Sequence, residues 1–266
     1  MNISKIIKID STTSTNSELK KLCSEQSLPS FSALVTQKQT AGRGQAGNSW
    51  ESEPYKNLTF SVALFPENLP VKQSFFISRI FSLAVKETLD KYIEHVSIKW
   101  PNDIYYRDKK LCGMLIENEL EIGLSQITGA NISSSIIGIG LNVNQEKFIS
   151  DAPNPVSLYQ ITNKIYDLDE LLDSILQIAA EKYQQFLTGN INEIRSAYQN
   201  ALYQKSDFYT YEDKNGTFQA KINGIEDDGT LILETKNKEI RRYQFKEVRL
   251  NLYQRTQITQ ITQIIL

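Results

Sequence analysis

The stretch KWPNDIYYRDKKLCGMLIE, residues 99–117, contains two apolar runs, each bounded by charged or turn-forming residues. Short runs of this kind are typical of strands, so we predict strands at Ile104–Tyr106 and Lys110–Glu117. A third strand is predicted at Val96–Lys99, and it leads directly into the segment KWPND. The stretch therefore predicts part of a sheet, with KWPND as the connection that follows one of its strands.

The flanking sequence adds more strands and several long helices. The segment NLTFSVALF, residues 57–65, alternates apolar with small residues, which predicts a strand with one well-buried face. Further strands are predicted at Ser32–Gln37 and Ser135–Val143. Helices are predicted where apolar residues recur without Gly or Pro, at Val71–Ile93, 168–187 and 191–203. This mixture predicts an α/β first domain over residues 1–202.

The last quarter of the chain has a different sequence pattern. From about Ser206, short alternating runs are separated by turn residues, with Asn215-Gly216 as a hairpin signal and a second turn at Asp227–Gly229. We therefore predict a small all-β domain over residues 203–250. Residues 251–266 carry a repeat without an evident pairing partner, and a disordered tail or an edge strand is expected there.

Composition excludes several classes of function. The chain has 266 residues and a formal net charge of -2, so it lacks the basic excess that usually marks nucleic-acid binding. Its N-terminus has no signal-peptide pattern, and no apolar run approaches the roughly 20 residues that span a bilayer. The two cysteines form neither a zinc motif nor a disulfide framework. We expect a cytoplasmic protein with no membrane and no DNA partner.

A glycine-rich loop is the most unusual local feature. The segment QTAGRGQAGNSW, residues 39–50, contains three glycines, an arginine and a tryptophan. It matches neither the dinucleotide-binding fingerprint nor the Walker loop, and taken alone it is more typical of a surface turn. Further motifs accompany it at fixed order along the chain, namely STTSTN (11–16), KWPND (99–103), KKLCGMLIE (109–117) and GIGLNVN (138–144).

This ordered motif set resembles the biotin–protein ligases over residues 5 to 250. The resemblance implies a mixed, mainly antiparallel sheet flanked by helices, similar to class II synthetase cores, followed by an SH3-like barrel. It implies that biotin and MgATP form biotinyl-5′-adenylate, which then acylates a lysine of a biotin carboxyl carrier domain. Family members are single subunits or dimers, so the oligomeric state stays open. Because the motif set begins close to residue 1, we expect no DNA-binding domain ahead of it and no repressor role.

The resemblance also assigns candidate site residues. The catalytic cations are Arg43 and Lys110, which would stabilise charge while an ionised carboxylate attacks the α-phosphate. Residues expected to bind biotin are Ser14, Thr15, Asn16, Gln39, Gly42, Arg43, Lys110, Gly113 and Gly138. Residues expected to bind ATP or the adenylate are Gly44, Gln45, Asn48, Trp50, Lys99, Asn102 and Asn142. Asp103 is either a Mg²⁺ ligand or a structural carboxylate.

Several alternatives and departures accompany these assignments. Ser14 and Thr15 also suit a helix N-cap. The only histidine, His95, is expected at the surface, so acyl transfer would depend on proximity and a good leaving group. Gln45 and Asn48 stand where many family members have arginine, which predicts a less tightly held adenylate. The resemblance makes residues 145–158 a loop on the adenylate side that is mobile until nucleotide binds; the alternative is an ordinary connector.

Two rival functions remain at this point. A lipoate–protein ligase has a related fold but an Arg-Arg-x-Ser-Gly-Gly-Gly loop, which GRGQAGNSW does not match. A non-catalytic biotin-binding module would need neither Arg43 nor Lys110 at a phosphate. Biotin-dependent release of pyrophosphate from ATP distinguishes all three.

Overall fold

The computed structural model describes residues 5–122 and 130–251, which form two sheets with helices. The first sheet has eight strands: Lys5–Thr12 (β1), Ser32–Gln39 (β2), Leu58–Leu64 (β3), Leu69–Pro70 (β4), Val96–Lys99 (β5), Asp103–Tyr106 (β6), Lys109–Ile122 (β7) and Ala130–Leu141 (β8). Its order is β1-β2-β3-β8-β7-β6-β5, and β4 pairs with β8. Only β1 and β2 pair in parallel among the described strands. The predicted mixed, mainly antiparallel sheet is confirmed.

The described residues also form five α-helices: Thr15–Glu25 (α1), Phe75–Leu89 (α2), Leu158–Thr162 (α3), Leu168–Leu187 (α4) and Ile191–Ala201 (α5). Helix α2 packs against α4, and its apolar side chains join those of the central strands in the main core. The predicted helix Val71–Ile93 is too long at both ends, because Val71–Gln73 forms a 3-10 turn and α2 ends at Leu89.

Strand β3 is more deeply buried than its alternating sequence predicts. All seven residues, Leu58–Leu64, are buried, so the prediction of a single buried face is wrong. The apolar set faces the α2 layer, while α1 covers the face that carries the small polar side chains. Strand β1 was not predicted, because it is an edge strand whose short apolar run is interrupted by lysine and largely exposed.

The second sheet contains five antiparallel strands: Tyr209–Asp213 (β9), Gly216–Ile225 (β10), Leu231–Thr235 (β11), Ile240–Tyr243 (β12) and Val248–Leu250 (β13). Its order, β12-β11-β10-β9-β13, leaves β12 and β13 at the two edges. The first hairpin turns at residues 214 and 215, since Gly216 already pairs with Asp213, one residue earlier than predicted. The predicted tail lies outside the described residues beyond position 251.

A buried cation joins the two sheets. Arg79 of α2 is only 2 % exposed and donates to Asp227 Oδ1 (2.8 Å) and to the carbonyls of Ile225 (2.8 Å) and Glu226 (2.9 Å). Arg195 of α5 also pairs with Asp227. Hydrogen bonding from Arg195, helped by Arg79 and opposed by burial, holds the pKa of Asp227 below its usual value. The turn between β10 and β11 therefore supplies the counter-ion for a buried cation on helix α2.

Asp227→Ala is expected to lower the free energy of unfolding by about 2 kcal/mol, because it leaves the Arg79 cation without its carboxylate. A carboxylate whose native pKa is depressed stabilises the fold above its unfolded pKa, and this is lost as the pH falls through the native value. The difference from wild type should therefore persist at neutral pH and shrink on acidification below about pH 3.8. Denaturant unfolding at several pH values measures it.

The matched control is Asp169→Ala, which removes the exposed ion pair between Asp169 and Lys8. Surface pairs of this kind contribute little, and Asp169 also places a negative charge in the first turn of α4, so the loss should stay below about 1 kcal/mol. Equal destabilisation by the two substitutions would contradict a special role for the buried pair.

Candidate active site

A cavity of about 350 Å³ lies where the start of α1, the 39–50 loop and strands β7 and β8 meet. Most predicted site residues line it, namely Ser14, Thr15, Asn16, Gln39, Arg43, Gly44, Gln45, Asn48, Trp50, Asp103, Lys110, Gly113 and Gly138. Four other predicted residues, Gly42, Lys99, Asn102 and Asn142, do not line it. The sequence motifs, which are far apart along the chain, therefore converge on one cleft.

Glycines on the paired strands β7 and β8 make room for two side chains. Gly113 lies opposite Gly140 in the ladder, and a Cβ on Gly140 would come closer than 3.0 Å to the Trp50 indole. A Cβ on Gly138 would likewise come within 3.0 Å of the Asn16 side chain. Close approach, rather than a special backbone angle, requires glycine here. The sequence pointed to Gly113 and Gly138 but not to Gly140.

Polar side chains at one end of the cavity form a connected network. The Gln39 side-chain oxygen accepts a hydrogen bond from the Thr15 backbone N–H (2.9 Å). Ser61 Oγ lies 2.7 Å from Thr15 Oγ1 and 2.6 Å from Asn16 Oδ1. Ser14 occupies the N-cap position of α1, but its side chain makes no capping hydrogen bond among the described residues. Ser14 lines the cavity, so its hydroxyl is not used by the helix and is available to a ligand there.

The two predicted catalytic cations line the same cavity, each beside a carboxylate. Lys110 Nζ lies 2.9 Å from Asp103 Oδ1 and 5.7 Å from the centroid of the Trp50 ring. Arg43 lies 3.3 Å from Glu117 Oε2 and donates to the Ser17 hydroxyl at 3.1 Å. Both cations are partly exposed, so a ligand in the cavity can reach them.

The glycine-rich loop is held against the KWPND turn. Its two ends pair, since the Trp50 N–H donates to the Gly42 carbonyl at 2.9 Å, and the loop turns through Gly47, whose φ is +84°. Gln45 reaches across and donates to Asn102 Oδ1 (3.1 Å) and to the Met114 carbonyl (3.2 Å). Gln45 therefore holds the loop against the KWPND turn, in addition to being uncharged where many family members have arginine.

Lys99 and Asn142 lie behind the cavity wall. Lys99 Nζ donates to the Tyr105 hydroxyl (3.2 Å) and lies over that ring, and burial lowers the pKa of this amine. Asn142 is buried, and its amide donates to the Val156 carbonyl at 3.1 Å, which holds the 145–158 segment in place. Their contacts with a nucleotide stay predictions.

The 145–158 segment has anchors at both ends. The Glu51 carboxylate accepts hydrogen bonds from the backbone N–H groups of Ile149 and Ser150, each at 2.9 Å. Burial raises the pKa of Glu51, but its four hydrogen bonds together lower it below the usual value. At the other end, Lys110 exchanges backbone hydrogen bonds with Asn154 and Val156. The segment is therefore joined to the strand that carries Lys110, one of the two predicted catalytic cations.

Sequence reasoning missed several further residues at or beside the cavity. Ser61 and Glu117 extend the polar network, whereas Phe245 and Lys246 line the cavity from the second sheet's side. The alternation in NLTFSVALF did place Ser61 on a strand face, but not which face met the cleft. No sequence signal separated Phe245 and Lys246 from ordinary loop residues, so the predicted site lay entirely within residues 1–202.

Among the residues that the structure describes, few could serve as metal ligands at this cavity. Within residues 5–122 and 130–251, no three His, Cys, Asp or Glu side chains cluster in a way that could hold a metal ion. Asp103 lies in the cavity, but Lys110 is its neighbour.

None of the helices within residues 5–122 and 130–251 is long and apolar enough to cross a membrane.

Strand glycines of a mixed sheet, the start of α1 and two side-chain cations thus enclose one cleft, whose lining would suit a small anionic ligand. A family model of the biotin/lipoate A/B protein ligases matches residues 8–142, and the chain belongs to this family. It is 30% identical over 234 residues to the bifunctional ligase/repressor BirA of Bacillus spizizenii, covering 86% of this chain and 68% of that protein.

Other similar proteins extend over nearly the full length. The biotin–[acetyl-CoA-carboxylase] ligase of Paracoccus denitrificans is 27% identical, over 84% of this chain and 91% of that protein. Among solved structures, the biotin protein ligase from Aquifex aeolicus in complex with biotin and ATP has a TM-score of 0.74 at 28% identity. That match covers 93% of this chain and 98% of the Aquifex chain.

Proposed function

We propose that this protein is a biotin protein ligase, which activates biotin with ATP and transfers it to a lysine of a biotin carboxyl carrier domain. The observation that carries the proposal is that Arg43 and Lys110 line one cavity with the Ser14–Asn16 segment and Trp50. Its named relatives in Bacillus, Paracoccus and Aquifex support the same reaction.

The first step is an electrostatic problem more than a proton-transfer problem. The valeryl carboxylate of biotin is already ionised near pH 7, so it attacks the α-phosphorus without a general base. A carbonyl–oxygen–phosphorus anhydride bond forms, and the bond to the leaving pyrophosphate breaks. Lys110 and Arg43 are the cations that would offset the negative charge gathered there. Both must then leave their present carboxylate partners, Asp103 and Glu117, or share them with the ligand.

The adenine and biotin ends would occupy opposite parts of the cleft. Trp50 presents an indole over bare strand backbone at Gly140, and its ring N–H is buried without a partner among the described residues. An aromatic face of this kind suits stacking by a purine. At the other end, Thr15 and Gln39 offer hydroxyl and amide groups to the neutral ureido ring, whose burial requires hydrogen-bond partners.

Magnesium would enter with ATP. Mg²⁺ usually keeps several waters and binds through one or two carboxylates plus substrate phosphates, and a single carboxylate at Asp103 fits that pattern. The metal would offset phosphate charge. This chain's own contribution is to hold Asp103 at the cavity wall beside Lys110.

The second step transfers the biotinyl group to an amine. The acceptor lysine forms an amide bond with the biotinyl carbonyl, AMP leaves, and the amine's proton passes to solvent or to the leaving phosphate. His95 does not line the cavity, so the rate of acyl transfer would depend on the proximity of the acceptor lysine and on the good leaving group. We also propose that residues 203–250 act as an SH3-like unit that, through Phe245 and Lys246, forms part of the cleft wall.

The test is biotin-dependent exchange of labelled pyrophosphate into ATP, followed by labelling of a carrier domain. Activity with biotin and none with lipoate is expected. Activity with lipoate alone would assign the lipoate branch of the family, whereas biotin binding without exchange would indicate a non-catalytic module.

Gln45→Arg is expected to slow dissociation of biotinyl-5′-adenylate by roughly ten-fold, because it adds a cation beside the phosphate. The loop tether should survive, since arginine also donates hydrogen bonds. Stopped-flow measurement of adenylate release checks this, with Gln45→Lys as a charge control. An unchanged off-rate in both variants would contradict the hypothesis that loop charge limits retention.

A further inference from the structure

Lys246 brings a further cation to the cleft from the second sheet. Among the described residues, the cationic side chains that line the cavity are Arg43, Lys110 and Lys246. Arg43 lies beside the Glu117 carboxylate, and Lys110 lies beside Asp103. Lys246 forms no ion pair in the part of the chain that the structure describes. Of these three charges, it is the one that a ligand could neutralise without first displacing a carboxylate.

The charged residues around Lys246 are occupied with one another. Three arginines share an open cavity on the second sheet with Lys246, and each has a carboxylate partner: Arg241 with Glu239, Arg242 with Glu226 and Arg249 with Glu212. The adjacent carboxylate, Glu247, accepts a hydrogen bond from the Gln244 N–H at 2.7 Å and so closes the turn. Lys246 therefore keeps its charge available although carboxylates are close to it in sequence and space.

The backbone at Lys246 has a conformation that lysine adopts rarely. Its φ is +75°, which lies in the left-handed region that favours glycine. Strain of this kind is concentrated at ligand sites, where the side chain has a use that offsets it. The residue is exposed, and its amine lies 5.9 Å from the centroid of the Phe245 ring, a contact that contributes little at an exposed site. Packing alone therefore gives no reason for a lysine here.

Contacts with the KWPND turn determine the side from which Lys246 enters the cleft. The neighbouring Phe245 ring packs against Trp100 with the centroids 5.9 Å apart. Trp100 Nε1 donates to the Gly229 carbonyl at 2.9 Å, so the second sheet is attached to this turn twice. The turn leads into β6, which begins at Asp103. Lys246 therefore enters from the Asp103 side of the cavity.

That side lies away from the proposed biotin end. In the first sheet, strands β3, β8 and β7 separate β6 from β2, the strand that carries Gln39. Lys110 lies on β7, between the two ends. A nucleotide whose α-phosphorus lies beside Lys110 would extend its outer phosphates toward Asp103 and Lys246.

We infer that Lys246 binds the β- and γ-phosphates of ATP, which become the pyrophosphate leaving group. This inference rests on the proposed function. When the biotin carboxylate oxygen bonds to the α-phosphorus, the bond from that phosphorus to the bridging oxygen breaks, and its electron pair leaves on pyrophosphate. A cation at this position stabilises that charge without contacting biotin. It also adds positive charge to a cleft whose loop has Gln45 and Asn48 where many family members have arginine.

Lys246→Gly tests this, because it removes the cation and suits the backbone at φ +75°. Calorimetry on biotin-saturated protein compares α,β-methylene ATP, which cannot react, with AMP. Affinity for the ATP analogue should fall by about ten-fold, as expected for the loss of one charge-assisted contact. Affinity for AMP should not change, since AMP lacks both outer phosphates. Dissociation of biotinyl-5′-adenylate should not change for the same reason.

Two further variants and a stability measurement serve as controls. Lys246→Arg keeps the charge and should retain most of the affinity for the ATP analogue. Lys236→Gly removes an exposed lysine from the turn between β11 and β12, away from the cavity, and should bind both nucleotides as wild type does. The unfolding midpoint of Lys246→Gly should not fall, because glycine is at ease in the left-handed conformation.

The inference and the proposed function fail in different ways. Unchanged affinity of Lys246→Gly for the ATP analogue would overturn the inference. So would weaker AMP binding or faster adenylate release, because the effect would then not be confined to the outer phosphates. Wild-type protein without biotin-dependent pyrophosphate exchange would overturn the proposed function as well, whereas exchange in wild type with unaltered nucleotide binding in Lys246→Gly would overturn the inference alone.

Discussion

Lys110→Ala should reduce the rate of biotinyl-adenylate formation by about a thousand-fold, comparable to losing a principal cation at a reacting phosphate. The Lys110 amine lies in the shared cavity, between the Asp103 carboxylate and the Trp50 ring. No second lysine among the cavity-lining residues of the main sheet is placed to substitute for it. Pyrophosphate exchange measures the loss.

The fold should survive this substitution. The hydrogen bonds that join β7 to the 145–158 segment come from the backbone of Lys110, which alanine retains. Lys109→Ala is the matched control, since it removes an exposed lysine from the preceding position of the same strand. Lys109→Ala should keep full activity, and Lys110→Arg should keep part of it. Normal turnover in Lys110→Ala would remove the basis of the proposed mechanism.

Gly138→Ala should raise the KM for biotin by about a hundred-fold, because displacement of a positioned group by an ångström has effects of that size. The new methyl group would fall within 3.0 Å of the Asn16 side chain. Asn16 has little freedom to move, since it bonds to the Leu115 carbonyl, Glu117 and Ser61. Steady-state kinetics at saturating ATP measure the change.

Gly224→Ala supplies the control for that substitution. Gly224 also lies in a strand, β10, but the nearest atom to its added Cβ is 3.9 Å away. The variant should have wild-type kinetics. A KM for biotin that stays unchanged in Gly138→Ala would show that the Asn16 network is not part of the biotin site.

The local signals in the sequence predicted most of the first sheet and two helices closely. Val96–Lys99 and 168–187 have the predicted bounds, because turn residues and a capping aspartate, Asp167, delimit them. The ends of α2 were less predictable. Val71–Gln73 has the composition of a helix but forms a 3-10 turn before Ser74, so the periodic pattern extends beyond the element.

Only the site residues that belong to linear motifs could be predicted from the sequence. Linear motifs placed Arg43 and Lys110, and the cavity contains both. Ser61 and Glu117 contribute through contacts across 45 to 101 positions, which depend on strand register and on which face α1 covers. Phe245 reaches the cleft through the packing of two sheets, and its ring contacts Trp100. No local pattern in the sequence indicates how the two sheets pack against each other.

The hydrogen bonds between Arg79 and residues 225–227 affect how the chain can fold while it is being synthesised. The three acceptors of this guanidinium lie 146 to 148 residues further along, so they emerge from the ribosome long after α2. Before those acceptors are available, packing of the helices onto the sheet would bury the Arg79 charge in an apolar interior without a counter-ion, which is strongly unfavourable. We therefore expect the nascent first sheet to remain loosely packed, and its final consolidation to wait for residues 225–227.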